Sequence, residues 1–203
     1  MLNAPFRTLT SRTALLLRDN VDTDQIIPAR YLKGTSREGL GRHLFADWRR
    51  DAAGQARPEF VLNRLGARGA QVLVAGGNFG CGSSREHAVW ALRGHGFRAV
   101  VALSFADIFR SNALKNALVP VQIGPEAHAR LVRGGGGEVT VDLVSLRITL
   151  PDGTSSSFPL EPFSRHCLIE GVDELSYLVA QEADITAYER RNPYSLGGAC
   201  HDV

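Results

Sequence analysis

The sequence predicts an α/β fold built around a parallel sheet, and three observations carry that reading. Residues 71–123 run strand, turn, helix, strand, helix, strand, the order that parallel pairing requires. The first of these strands opens into a glycine-rich turn, Gly76 to Gly82, ahead of a helical stretch. The chain has 203 residues, 44% apolar and 22% charged, enough to bury one full core in one domain. That composition excludes a disordered, collagen-like or coiled-coil chain.

The elements follow in order. Residues 13–17 (TALLL) read as a buried strand. An acidic turn spans Asp19 to Asp24, and Ile26-Ile27-Pro28 comes next; Pro28 cannot sit in a central ladder, so this stretch reads as loop or edge. Residues 39–50 fit a short amphipathic helix with Leu40, Leu44, Phe45 and Trp48 on one face. A polar loop closed by Pro58 leads toward a strand at 71–75. The helix after the glycine-rich turn covers 84–94 and stops at Gly94 and Gly96, before a strand at 99–103. Ser104 starts the next helix, SFADIFRSNALKN, and an apolar run fills 118–123. The four glycines at 134–137 read as a surface loop rather than a domain boundary. Residues 138–143 and 146–150 alternate as a hairpin across Val144-Ser145, and Pro151-Asp152-Gly153 is a turn. Two helices, 162–170 and 173–191, are parted by Gly171, and 192–203 is expected to fray.

Charge and cysteine usage exclude several classes. Twenty-three Lys and Arg face 21 Asp and Glu, a net +2, too near neutral for an electrostatic nucleic-acid binder. Cys81, Cys167 and Cys200 are odd in number and widely spaced. They make neither a disulfide framework nor the usual ligand set of an iron–sulfur cluster, so no metal is expected on this chain. No apolar run approaches the ~20 residues of a membrane span, and Met1 to Arg12 lacks a signal-peptide core. The expectation is a reduced, cytoplasmic setting with no membrane partner.

The informative segment is GGNFGCGSSREHA, Gly76 to Ala88. A strand-to-helix turn offers backbone N–H groups and a helix dipole to an anion. The standard motifs fail here. Gly77 and Gly82 have P-loop spacing, but Ser83 stands where lysine belongs; Arg85 occupies the third glycine position of a dinucleotide fingerprint; and Ser83-Ser84 runs into Arg85 and Glu86 where a nucleophile elbow needs glycine. Ser83 and Glu86 do fit a capping box. A cap alone explains neither the second serine nor Arg85, a cation opposing the dipole where it would help only a bound carboxylate or phosphate.

GCGSSREHA resembles the small-subunit signature of isopropylmalate dehydratase, which corresponds to the swivelling domain of the aconitase superfamily. NVDTDQIIPARYLKG at 20–34, SFADIFRSNALKNALVPV at 104–121 and the tail LIEGVDELSYLVAQEADITAYERRNPY at 168–194 agree in the same order. The resemblance implies a single layered β/β/α swivelling domain over residues 1–203. It implies a hydro-lyase subunit of leucine biosynthesis that interconverts 2-isopropylmalate and 3-isopropylmalate through isopropylmaleate. The partner is a large subunit carrying a [4Fe–4S] cluster, which binds the leaving hydroxyl; no cofactor is expected on this chain. Ser83 matches the serine that acts, as an alkoxide, as base on the substrate C–H. Ser84 and Arg85 match contacts to a substrate carboxylate. Tyr31, Leu32 and Lys33 fall in the loop that reads the variable group of a small hydroxy-dicarboxylate. Asp24 is a candidate for orienting the site, Glu86 and His87 are expected to cap and orient, and Cys81 to pack. Alternatives in the same chemistry are the small subunit of a homoaconitase or of a methylmalate/citraconate dehydratase. An alternative of another class is a non-catalytic anion- or RNA-binding module, against which the near-neutral charge and missing aromatic–basic motifs speak.

Overall fold

The computed structural model describes residues 4–32 and 37–192. Seven strands form one curled sheet: β1 (Thr8–Leu16), β2 (Val72–Ala75), β3 (Ala99–Ala102), β4 (Val119–Gln122), β5 (Glu138–Asp142), β6 (Arg147–Thr149) and β7 (Ser155–Ser157), in the order β4-β3-β2-β1-β5-β6-β7. β1 serves two partners. Thr13 to Leu16 pair in parallel with β2, while Thr8 to Arg12 pair antiparallel with β5. The expected strand at 13–17 is therefore only the parallel half of a longer one. At the switch, the Thr13 amide and hydroxyl both donate to the Gly137 carbonyl, 3.2 Å each, so the glycine run packs against the strand.

Layering follows from topology. From β1 to β4 each parallel strand adds on the same side of the last. Right-handed crossovers must then all fall on one face. That face packs Leu73, Ala75, Val100 and Ala102 against Ile26, Val89, Leu92 and Phe109 from the crossovers. The other face would be left bare. There Val72, Val74, Ala99 and Val101 pack against Val139, Val141 and Ile148 of the antiparallel strands and Leu131 of a helix. All residues of β2 and β3 are buried, as a doubly covered parallel sheet requires. The result is the β/β/α layering.

Eight short α-helices lie among the described residues, with four 3₁₀ turns besides: α1 (Thr23–Ile26), α2 (Ala46–Arg49), α3 (Glu86–His95), α4 (Asp107–Lys115), α5 (Pro125–Arg133), α6 (Pro162–Glu170), α7 (Glu174–Ala180) and α8 (Glu182–Arg191). Several differ from the sequence reading. The Ile26-Ile27 stretch is helical at its start because Asp22 and Gln25 form a capping box there. Residues 39–50 are not one helix: a 3₁₀ turn, Leu40–His43, is followed by Phe45 at φ 50° and then α2. The Phe45 amide donates to the Ile26 carbonyl at 2.8 Å, which takes it out of any helical ladder. α4 begins at Asp107, not Ser104. α5, which the sequence did not reveal, follows Pro125 at its first position. The expected helix 173–191 is two, α7 and α8, and neither buries a residue. No helix among the described residues is long and apolar enough to cross a membrane. The frayed tail expected beyond residue 192, with Cys200, lies outside the described residues.

Candidate active site

β1, β2 and β3 end side by side, with Leu16 opposite Ala75 and Val74 opposite Val101. Ligands of open α/β sheets gather beyond such carboxyl ends. Here three loops meet there, and the glycine-rich turn lies between the other two. On one side, the Gly76 amide donates to the Arg18 carbonyl at 3.0 Å, the Asn20 amide to the Gly77 carbonyl at 2.9 Å, and the Gly80 amide to the Val21 carbonyl at 2.7 Å. On the other, the Phe79 amide donates to the Ser104 carbonyl and the Ala106 amide to the Phe79 carbonyl, both at 3.0 Å. The Asn78 amide donates to the Ser104 hydroxyl at 2.8 Å. This explains why Ser104 does not start α4: its carbonyl and its hydroxyl both serve the turn.

The turn is pinned to the core by Phe79, fully buried and edge-on to Phe109 with centroids 5.2 Å apart. Gly80 follows at φ +79°, and a Cβ there would lie 2.2 Å from Phe109 Cγ. No other residue fits. Gly82, at φ +86°, holds a backbone conformation that favours glycine immediately before Ser83.

Ser83 and Ser84 are exposed, and their hydroxyls have no partner among the described residues. The Ser83 carbonyl accepts from the Thr23 hydroxyl at 2.9 Å and the Arg85 amide at 2.8 Å. Arg85 is the N-cap residue of α3, in an extended conformation, and no side chain caps that helix. The capping box expected of Ser83 and Glu86 is thus absent. Glu86 is engaged elsewhere: its Oε1 accepts from Asn116 Nδ2 at 2.6 Å, and Asn116 Oδ1 accepts from Trp90 Nε1 at 2.9 Å. Asn116, buried in this bridge between α3 and α4, is a structural residue that its spacing from Asn112 did not reveal. His87 lies against the Trp90 ring, and its Nε2 is buried without a partner.

Asp24 ties the parts together. Its Oδ1 accepts from Arg85 Nη1 and, at 2.9 Å, from the Ala29 amide. The Arg85 hydrogen bond, followed by that from Ala29, holds the Asp24 carboxyl below its ordinary range. A guanidinium has five N–H donors. One faces Asp24, so the fork is oriented with donors to spare for a carboxylate.

The turn at 29–31 is tied to this group through Asp24, which accepts from the Ala29 amide. Tyr31 stacks on His43 with centroids 3.9 Å apart, under the guanidinium of Arg30, which pairs with Asp47. Tyr31 and Leu32 are half-buried against the helix-side core. Among the described residues, no hydrogen bond, ion pair or ring contact joins either to Ser83, Ser84 or Arg85. Lys33 lies outside the described residues. Cys81 and Cys167 are unpaired, and no group of three or more His, Cys, Asp or Glu among the described residues could hold a metal ion.

A βαβ sheet thus carries a glycine-rich turn that presents two exposed serines and an arginine held by Asp24. The family model of the aconitase C-terminal domain matches residues 3–126. The 3-isopropylmalate dehydratase small subunit of Anaeromyxobacter dehalogenans is 58% identical over 185 residues, 91% of this chain and 97% of that one. The small subunit of the same name from Roseiflexus castenholzii is 52% identical, over 93% and 95%. The crystal structure of 3-isopropylmalate dehydratase from Methanocaldococcus jannaschii superposes with a TM-score of 0.65 at 31% identity, over 89% and 99%. The chain therefore belongs to the aconitase C-terminal domain family and, within it, to the 3-isopropylmalate dehydratase small subunits.

Proposed function

We propose that this chain is the catalytic-base half of a 3-isopropylmalate dehydratase, a hydro-lyase of leucine biosynthesis that interconverts 2- and 3-isopropylmalate through isopropylmaleate. The observation that carries this reading is an exposed Ser83 on a fixed glycine turn, beside an arginine oriented by Asp24, in a chain with 58% identity to such subunits. In the proposed step Ser83 Oγ, as an alkoxide, takes the proton from the substrate carbon. No base among the described residues hydrogen-bonds Ser83 Oγ, so backbone N–H groups around the αL turn are taken as the local donors for its anion. Arg85 holds a substrate carboxylate through its remaining donors, and Ser84 adds a hydroxyl.

The Lewis acid for the leaving hydroxyl is assigned to a [4Fe–4S] cluster on a large subunit. The exposure of Ser83 and Ser84 supports this division, because a proton abstraction that must exclude water needs a second surface to close over it. Tyr31, Leu32 and Lys33 are proposed to face the isopropyl group at that surface, with the turn that carries Tyr31 linked to Arg85 through Asp24. We take residues 1–203 as one swivelling domain, since the sheet continues across the glycine run, and place it in the cytoplasm, where free Cys81 and Cys167 stay reduced.

The test is reconstitution. The purified chain alone should not hydrate isopropylmaleate; mixed anaerobically with its cluster-loaded large subunit it should, and it should prefer that substrate to the homoaconitate and citraconate analogues. Turnover by the chain alone, or a preference for another analogue, would contradict the proposal.

A further inference from the structure

Resting on the reading of Ser83 as the base, we infer that Thr23 is a positioning residue for it. Thr23 is 2% exposed, one of four buried polar residues among those described. Its amide donates to the Cys81 carbonyl at 2.9 Å, and its hydroxyl donates to the Ser83 carbonyl, also at 2.9 Å. One residue thus grips the chain on both sides of Gly82, the αL residue that aims the serine. The Ser83 carbonyl is thus held by Thr23 and by the Arg85 amide, while the Ser83 hydroxyl stays unbonded among the described residues.

Thr23 is itself held in place by its neighbours. The Gln25 amide donates to Asp22 Oδ1 at 2.7 Å, and the Asp22 amide donates to Gln25 Oε1 at 3.1 Å. This capping box sets the backbone at Thr23, the first residue of α1. A Cβ on Gly82 would sit 3.3 Å from Asp22 Cβ, so the two loops are in close contact at the same point. The next residue, Asp24, holds Arg85. The triplet Asp22-Thr23-Asp24 therefore divides its work: the first residue fixes the frame, the second places the serine, the third places the arginine.

The division makes the test specific. Loss of the Thr23 grip displaces the base relative to the reacting carbon, and an error of about 1 Å in such a placement costs about 100-fold in rate. In the reconstituted complex Thr23→Val, which keeps the shape and removes the hydroxyl, should lower kcat about 10- to 100-fold with KM changed less than threefold. Thr23→Ser should restore most of kcat. Asp24→Asn should act the other way, raising KM more than it lowers kcat. Each variant is measured below its melting temperature, with Ser83→Ala beside it. If Ser83→Ala is inactive while Thr23→Val has normal kcat, the positioning role is overturned and the base survives. Failure of Thr23→Ser to recover kcat overturns it as well. If Ser83→Ala is itself active, the reading of Ser83 fails first.

Discussion

Two halves of one sheet show how this chain separates support from chemistry. In the parallel half, β1, β2 and β3 end together, and each hands the chain to a loop of the glycine-rich turn's cluster. Those loops are held by one another: the turn takes bonds from residues 18–24 on one side and 104–106 on the other. In the antiparallel half, β5, β6 and β7 are joined by tight turns, each capped by an aspartate at or beside its own start, with Arg165 of α6 adding bonds to the Leu143 and Val144 carbonyls. Asp142 accepts from the amides of Val144 and Ser145, and Asp152 accepts from the Thr154 amide. Local turns stabilise a layer, whereas loops that depend on distant segments can bring residues far apart in sequence to one site.

Changes can break or sharpen that contrast. The largest effect is expected at Gly80→Ala. The new Cβ would meet the Phe109 ring at an αL position, so strain and overpacking together should cost about 3 kcal/mol or more, with activity lost too. Urea unfolding measures it; a cost under about 1 kcal/mol would show the turn to be loosely held. Asp142→Ala probes the other half. It removes a local turn cap and should cost about 0.5–1.5 kcal/mol, while kcat of the reconstituted complex stays at the native level. A fall in kcat there would join the two halves that the comparison separates.

A smaller effect is expected from pH. The Asp24 carboxyl is held below its ordinary value by Arg85, so its contribution is fully present above the unfolded carboxyl's pKa, about 3.9. It is lost as pH falls through the lower, folded value. Asp24 is mostly exposed, at 58% of its side chain, so the pair is worth under about 1 kcal/mol of stability. Asp24→Asn should flatten the acid limb of the stability curve by that amount. An unchanged limb would mean that Arg85 is not held through this carboxylate.

The parallel half was legible in the sequence because its signals are local and periodic. The apolar runs at 71–75, 99–103 and 118–123 match β2, β3 and β4, and the serines and Arg85 stand out because they fit no standard motif. What stayed hidden depends on distant partners. Nothing near residue 45 shows that the Phe45 amide goes to Ile26, and Ser104 resembles a helix cap until Asn78 claims its hydroxyl. Thr23 reads as one polar residue in an acidic turn; its grip on Ser83 spans 60 positions. The capping box predicted at 83–86 exists at 22–25, where Asp22 and Gln25 have the same spacing.

The proposed chemistry rests on Ser83 as the base. The most direct measurement is hydration of isopropylmaleate in heavy water by the complex reconstituted with Ser83→Ala, beside the native complex and the melting curve of each. Deuterium delivery to the substrate carbon should fall by roughly 10²–10⁴-fold, with assembly and melting temperature unchanged. Deuterium delivery at the native rate by Ser83→Ala would contradict that role.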